Sequence, residues 1–232
     1  MTDRDALRPI LLFGLSANPP TGEGGHEGIV RWAARGGISA WSDRGLAEIW
    51  VLPVYVHAFA QKRDMPAFHH RLEMARLAFE RMSDTQVPVR VLDVERTVAQ
   101  AWARREPLGA GPEGTAGTRP GTIDVVRYLI ATHPDCCFGL LLGADTYRDL
   151  MAGRWKESQA LLQLVEVFVV PRVGIDAIPR KKGGEDAVRE APLLSDISSS
   201  ILRATTDEAM WRRSVSPEVF AYVVKHGLYG FG

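Results

Sequence analysis

Short apolar runs alternate along this chain with longer stretches in which apolar residues recur every three or four positions. Pro9-Ile10-Leu11-Leu12-Phe13 ends at Gly14 and predicts a buried strand. Glu48 to Val54, Val87 to Leu92, Cys136 to Leu142 and Val165 to Val170 predict four more. Most of these runs are apolar on both faces, the pattern of parallel strands covered by helices on each side. Helices are predicted from His26 to Ala34, ending at Gly36-Gly37, from Pro66 to Met82 and from Thr122 to Thr132. In the second, Phe68, Leu72, Ala75, Phe79 and Met82 fall on one face; in the third, Ile123, Val126, Leu129 and Ile130 do so. Ser216-Pro217-Glu218 offers a cap, a first-turn proline and an acidic residue for a last helix that ends at Gly227.

The alternation predicts an α/β fold, a doubly wound parallel sheet, with ligands beyond the carboxyl ends of its strands. Residues 1–232 read as one domain, with 197–232 as its C-terminal helical part. Glu106 to Gly121 and Arg172 to Leu193 read as loops from their glycine, proline and charged residues.

Composition narrows the function. Lysine plus arginine equals aspartate plus glutamate, 28 each, so the formal net charge is zero and bulk attraction to nucleic acid or anionic lipid is not indicated. Any bound anion must be held by a local site. The two cysteines, Cys136 and Cys137, are neighbours in an apolar run; they give no disulfide framework and no metal-ligand spacing, which fits a reducing, cytoplasmic setting. The segment Met1-Thr2-Asp3-Arg4-Asp5 shows no apolar signal, and no apolar run approaches the roughly 20 residues that span a bilayer. No membrane partner is expected.

Two segments carry chemistry. The first, Phe13 to His26, is a glycine- and proline-rich turn between a strand and a helix. Such a turn leaves backbone N–H groups directed at open space, where a phosphate fits. Gly14 would let the chain turn sharply, Gly24 and Gly25 would let a ligand approach the backbone, and His26 would donate to a phosphate oxygen as the helix opens. The segment matches neither G-x-x-x-x-G-K-[ST] nor G-x-G-x-x-G. A purely structural turn with a helix-starting histidine fits the same residues. The second, Asp196 to Arg203, reads as a helix start in which N–H groups, serine hydroxyls and one guanidinium surround a point suited to a polyphosphate. A plain capped surface helix fits those residues too.

Taken together, these motifs resemble those of the nicotinamide/nicotinate mononucleotide adenylyltransferases of the nucleotidyltransferase superfamily. Gly14 to Thr21 with Gly25-His26 follows that family's opening motif, with Leu15 as the one mismatch. Thr21 stands where many members have a first histidine, and two extra residues separate it from His26. Ile197 to Arg203 matches the later I-S-S-[ST]-x-[ILV]-R signature in full. Between them, His70-Arg71-Leu72-Glu73-Met74, Thr122-Ile123-Asp124, and Leu142-Gly143-Ala144-Asp145 with the downstream Trp155 resemble family segments in the expected order. Val215 to Tyr229 resembles its C-terminal helix.

The resemblance implies transfer of AMP from ATP to nicotinate or nicotinamide mononucleotide, releasing pyrophosphate. It implies Mg²⁺ carried mainly on the ATP phosphates, with no dedicated protein ligands. His26 and Arg203 are the implied catalytic groups. Gly14, Ser16, Asn18, Thr21 and Gly25 from the first motif, and Ile197, Ser198, Ser199 and Ser200 from the second, are implied in holding ATP. Asp145 is implied as acceptor from a ribose hydroxyl, with a helix cap as its alternative role. Trp155 is implied as the stacking face for the pyridine ring, with packing beneath a loop as its alternative. Thr122 joins it on the mononucleotide side. Lys62, like His57, follows the second strand at its ligand-facing end and would help neutralise phosphate unless it is simply solvated. Other phosphorylated acceptors (pantetheine-phosphate or cytidylyl transfer) and a non-catalytic nucleotide-binding role stay open at this point. So do the choice between acid and amide mononucleotide and the existence of a homo-oligomer.

Overall fold

The computed structural model describes residues 7–38, 45–55, 65–105, 120–170 and 199–231. Five strands, β1 (Arg8–Leu15), β2 (Glu48–Pro53), β3 (Val89–Val91), β4 (Cys136–Gly143) and β5 (Glu166–Val170), form one sheet in the order β3-β2-β1-β4-β5. Every neighbouring pair is parallel. The chain therefore winds outward from β1 in one direction, returns, and winds out through β4 and β5. The switch lies between β1 and β4, where an open α/β sheet leaves a crevice for ligands.

Alternate residues of β1, β2, β4 and β5 enter two separate cores. Leu11, Phe13, Ile49, Val51, Leu141 and Phe168 face α1 (His26–Trp32), α2 (Phe68–Phe79) and the C-terminal helices. Ile10, Leu12, Trp50, Leu52, Phe138 and Leu140 face α3 (Val94–Arg105), α4 (Thr122–Thr132), α5 (Ala144–Met151) and α6 (Ser158–Leu164). This is why the strand runs lack a polar face. The C-terminal part holds α7 (Ser199–Arg203), α8 (Glu208–Ser214) and α9 (Pro217–Lys225). Trp211 of α8, fully buried, packs against Phe220, Tyr229 and Phe231 and donates through Nε1 to the Thr205 carbonyl.

Several expectations are refined. β1 runs through Gly14, which pairs with Leu52 as an ordinary strand residue, so the chain does not turn there. The first helix ends at Trp32 and widens into a π-type turn over Ala33–Gly37, released at Gly36 with φ 89°. Ile130, expected on the buried side of α4, is exposed. Ser216 precedes α9, but its hydroxyl makes no capping bond. Among the described residues, no helix is long and apolar enough to cross a membrane.

Candidate active site

The first motif forms a loop over the carboxyl end of β1. Its backbone carbonyls are held from three directions. Arg71 of α2, only 2% exposed, donates through Nη1 to the Ser16 and Val54 carbonyls, through Nη2 to Tyr55 and through Nε to Pro66. Arg203 of α7 donates through Nη1 to the Asn18 carbonyl at 2.8 Å. Ser199 donates through Oγ to the Pro19 carbonyl at 2.8 Å. Tyr229 donates its hydroxyl to Asn18 Oδ1, also at 2.8 Å. The Gly22 N–H closes the far end of the loop onto the Ser214 carbonyl.

Four of these braces come from the last fifth of the sequence, so the two motifs assemble into one structure. The serine–arginine segment meets the first loop through its backbone carbonyls. Ser200 Oγ accepts from Arg203 Nη2 at 3.0 Å, which fixes the plane of the guanidinium. An arginine carries five N–H donors, so these bonds leave it others to offer.

At the helix end of the loop, Thr21 and His26 form a closed ring of contacts. His26 Nδ1 lies 3.1 Å from the Thr21 N–H and 2.7 Å from Thr21 Oγ1, and the His26 N–H donates to Thr21 Oγ1 at 3.1 Å. The ring of His26 also tilts against Phe13. Gly25 is required here because a Cβ would lie 2.0 Å from Thr21 Oγ1. Its lack of a side chain serves the loop's own packing. Gly14 is the opposite case: a Cβ there would meet nothing within 4 Å, so the surface above it is open.

Asp145 sits in the first turn of α5, just past β4, and is exposed. Its Oδ1 comes within 2.9 Å of the position a Cβ would take on Gly143. The glycine of that segment thus makes room for the aspartate to fold back over the strand end.

Thr122 opens α4, and Trp155 lies in the turn between α5 and α6, half-buried against the second core. Lys156 ties the two segments together. Its Nζ lies 3.0 Å from Asp124 Oδ2, which also accepts from the Gly121 N–H at 2.7 Å. The same ammonium stands 4.0 Å from the Trp102 ring centroid. Lys62, Ile197 and Ser198 lie outside the described residues.

Two contributors were not singled out from sequence. Arg71 is a basic residue on the apolar, buried face of a helix, and that misfit was its signal. Burial lowers its pKa, opposed by Tyr229 and Glu95 nearby. Glu95 accepts the Tyr55 N–H, and its own burial pushes its carboxyl up to about 7. Tyr229 gave no signal, because its reach to Asn18 depends on a left-handed backbone at φ 57°. Burial raises its pKa.

A parallel sheet of this order, with a loop over β1 braced by a C-terminal serine–arginine helix, places a ligand crevice at the sheet's switch point. No family model matches the chain. A protein of Anaeromyxobacter sp. (strain K), described as "Probable nicotinate-nucleotide adenylyltransferase", is 31% identical over 224 residues, covering 96% of this chain and 97% of its own. A Myxococcus xanthus protein of the same description is 28% identical over 97% of both chains. The structure of a Plasmodium falciparum nicotinic acid mononucleotide adenylyltransferase complexed with NaAD superposes with a TM-score of 0.64 at 19% identity, covering 97% of this chain and 98% of that one. The chain belongs to the nicotinate-nucleotide adenylyltransferase family.

Proposed function

We propose that this protein transfers the adenylyl group of ATP to nicotinate mononucleotide, forming the deamido dinucleotide and pyrophosphate. The observation that carries this reading is the convergence of Ser199 and Arg203 on the Asn18-Pro19 backbone, which joins the two motifs into one structure. The acid rather than the amide is the preferred acceptor, because full-length relatives are named for it.

In the reaction, an oxygen of the mononucleotide phosphate attacks the α-phosphorus of ATP. A P–O bond forms there, and the bond from that phosphorus to the α,β-bridging oxygen breaks. The nucleophile is already an anion, so catalysis is positioning and charge stabilisation and needs no strong base. His26 donates to a non-bridging α-phosphate oxygen. Arg203, with its plane set by Asn18 and Ser200, faces the β- and γ-phosphates that leave. Ser16, Asn18, Gly25 and Ser200 line the ATP side, and Ile197 and Ser198 are assigned to ATP by their motif alone. Asp145 accepts from a ribose hydroxyl. Trp155 offers its face to the pyridine ring with Thr122 beside the mononucleotide, and Lys62 is assigned to that substrate from its place in the sequence alone.

Among the described residues, no three His, Cys, Asp or Glu side chains gather into a metal-binding group. A magnesium ion carried on the nucleotide would neutralise phosphate charge. A cytoplasmic location accords with this substrate pair.

The test is pyrophosphate release and dinucleotide formation with Mg²⁺-ATP and each mononucleotide. Turnover with the acid above the amide is expected. No turnover with either, under conditions where ATP binds, would overturn the reading.

A further inference from the structure

We propose that Thr21 is a positioning residue, whose main-chain N–H and hydroxyl together hold His26 Nδ1 as an acceptor, so that His26 meets the nucleotide with its proton on Nε2. The proposal deepens the adenylyl-transfer reading and rests on it for its kinetic part alone.

The geometry is restrictive. A backbone N–H can only donate, and the Thr21 N–H points at Nδ1 from 3.1 Å. Nδ1 must therefore present a lone pair. Thr21 Oγ1 accepts the His26 N–H at 3.1 Å, so the hydroxyl proton is left to point at Nδ1, 2.7 Å away. Which imidazole nitrogen carries the proton is set by the bond the other one makes. Two donors converging on Nδ1 place the proton on Nε2.

Thr21 is itself held. It is 4% exposed, and its carbonyl accepts the Glu27 N–H at 2.9 Å. Gly25 leaves the space that its hydroxyl fills. A hydroxyl has one proton to give. A phosphate oxygen can only accept, so Thr21 cannot donate to ATP while it holds His26. Its part in the site is therefore to orient the histidine, in place of the direct phosphate contact that the motif implied.

Long-range ¹H–¹⁵N correlation on ¹⁵N-histidine-labelled protein reads the tautomer without any substrate, with the His26 signals assigned by their loss in His26→Gln. The wild type and Thr21→Ser should show His26 protonated at Nε2. In Thr21→Ala only the main-chain donor remains, and the Nδ1 signal should shift as one of the two hydrogen bonds to its lone pair is lost. In turnover, Thr21→Ala should lower kcat about tenfold, the worth of one orienting hydrogen bond, with the KM for ATP nearly unchanged. Thr21→Ser should restore kcat.

An Nδ1-protonated His26 in the wild type would overturn the proposal, and that measurement needs no variant to fold. So would a Thr21→Ala enzyme with wild-type ring signals and kcat. A raised KM for ATP at unchanged kcat would make Thr21 a phosphate ligand and would equally overturn it. A wild type inactive with every mononucleotide would defeat the functional reading, while the tautomer measurement would still decide this one.

Discussion

Arg203 reaches across 185 positions of sequence to donate a hydrogen bond to the Asn18 carbonyl. The bond joins the motif at the start of the chain to the motif near its end. It also gives Arg203 a double part, since the guanidinium that would face departing pyrophosphate is the same group that braces the loop beneath it. Loss of a charge-stabilising donor costs about a hundredfold in kcat. Loss of the brace leaves the carbonyl of Asn18, a residue only 2% exposed, without its partner. Arg203→Ala should therefore lower kcat about a hundredfold and lower stability by about 1–2 kcal/mol. Arg203→Lys should retain charge, lose the fork that serves Asn18 and Ser200 together, and fall between the two. Steady-state kinetics and urea unfolding on the three proteins check both halves.

Arg71 predicts a larger structural effect. Its guanidinium serves four backbone carbonyls, those of Ser16, Val54, Tyr55 and Pro66, from a nearly buried position. Removing it orphans those acceptors and leaves Glu95 without its nearest positive charge. Arg71→Met, which keeps the length and removes the donors, should destabilise the protein by at least about 3 kcal/mol. Unfolding midpoints in urea measure it. A shift near zero would mean that water replaces the guanidinium at all four carbonyls.

The strands β1, β2 and β4 were legible because each is buried on both faces and reads as a continuous apolar run, while β3 and β5, at the sheet edges, are only partly buried. Their ends were less legible. Gly14 looked like a breaker, yet its pairing with Leu52 carries β1 on to Leu15. α3, α5, α6 and α8 were not predicted: α5, α6 and α8 span only seven or eight residues, and α3 is strongly polar. In the site, residue types were legible and their partners were not. Serine and arginine after Ile197 suggested a phosphate site, but nothing local to residues 197–203 could say that Ser199 and Arg203 would grip Pro19 and Asn18. Such contacts arise only when the sheet closes. Thr21 and His26 are the exception, a pair near enough in sequence to be checked by loop geometry.

Trp155 is half-buried, and its carbonyl accepts the Ser158 hydroxyl at 2.9 Å, so its backbone is fixed while part of the ring stays exposed. An aromatic face for the pyridine ring contributes to ground-state binding, which appears in KM more than in kcat. Trp155→Ala should raise the KM for the mononucleotide about tenfold, the worth of a stacked pair near 1–1.5 kcal/mol, and leave the KM for ATP nearly unchanged. Trp155→Phe should recover most of the loss. Equal rises for both substrates, or a fall in melting temperature that accounts for the lost activity, would assign Trp155 to packing.

Glu27 follows His26 in the first turn of α1 and is 5% exposed. Burial pushes its carboxyl up to about 7, with Glu23 adding to the rise and Ser216 and Arg31 opposing it. Its Oε1 has no hydrogen-bond partner among the described residues, which is the structural reason the ionised form is disfavoured. The folded state thus binds this proton more tightly than the unfolded chain, whose carboxyl titrates near 4.5. Stability must then fall as pH rises from about 4.5 to about 7, and level off once both states are ionised. At 1.36 kcal/mol per pH unit, the loss from Glu27 is at most about 3 kcal/mol. Glu95, raised to a similar value by its own burial, slopes the same way. Glu27→Gln removes one of the two titrations. It should match the wild type near pH 4, exceed it in stability at pH 8, and show a shallower decline between. Urea unfolding at closely spaced pH values measures the slope directly. A wild type whose stability rises through this window would mean that Glu27 ionises freely in the fold, and that water or a neighbouring cation reaches Oε1.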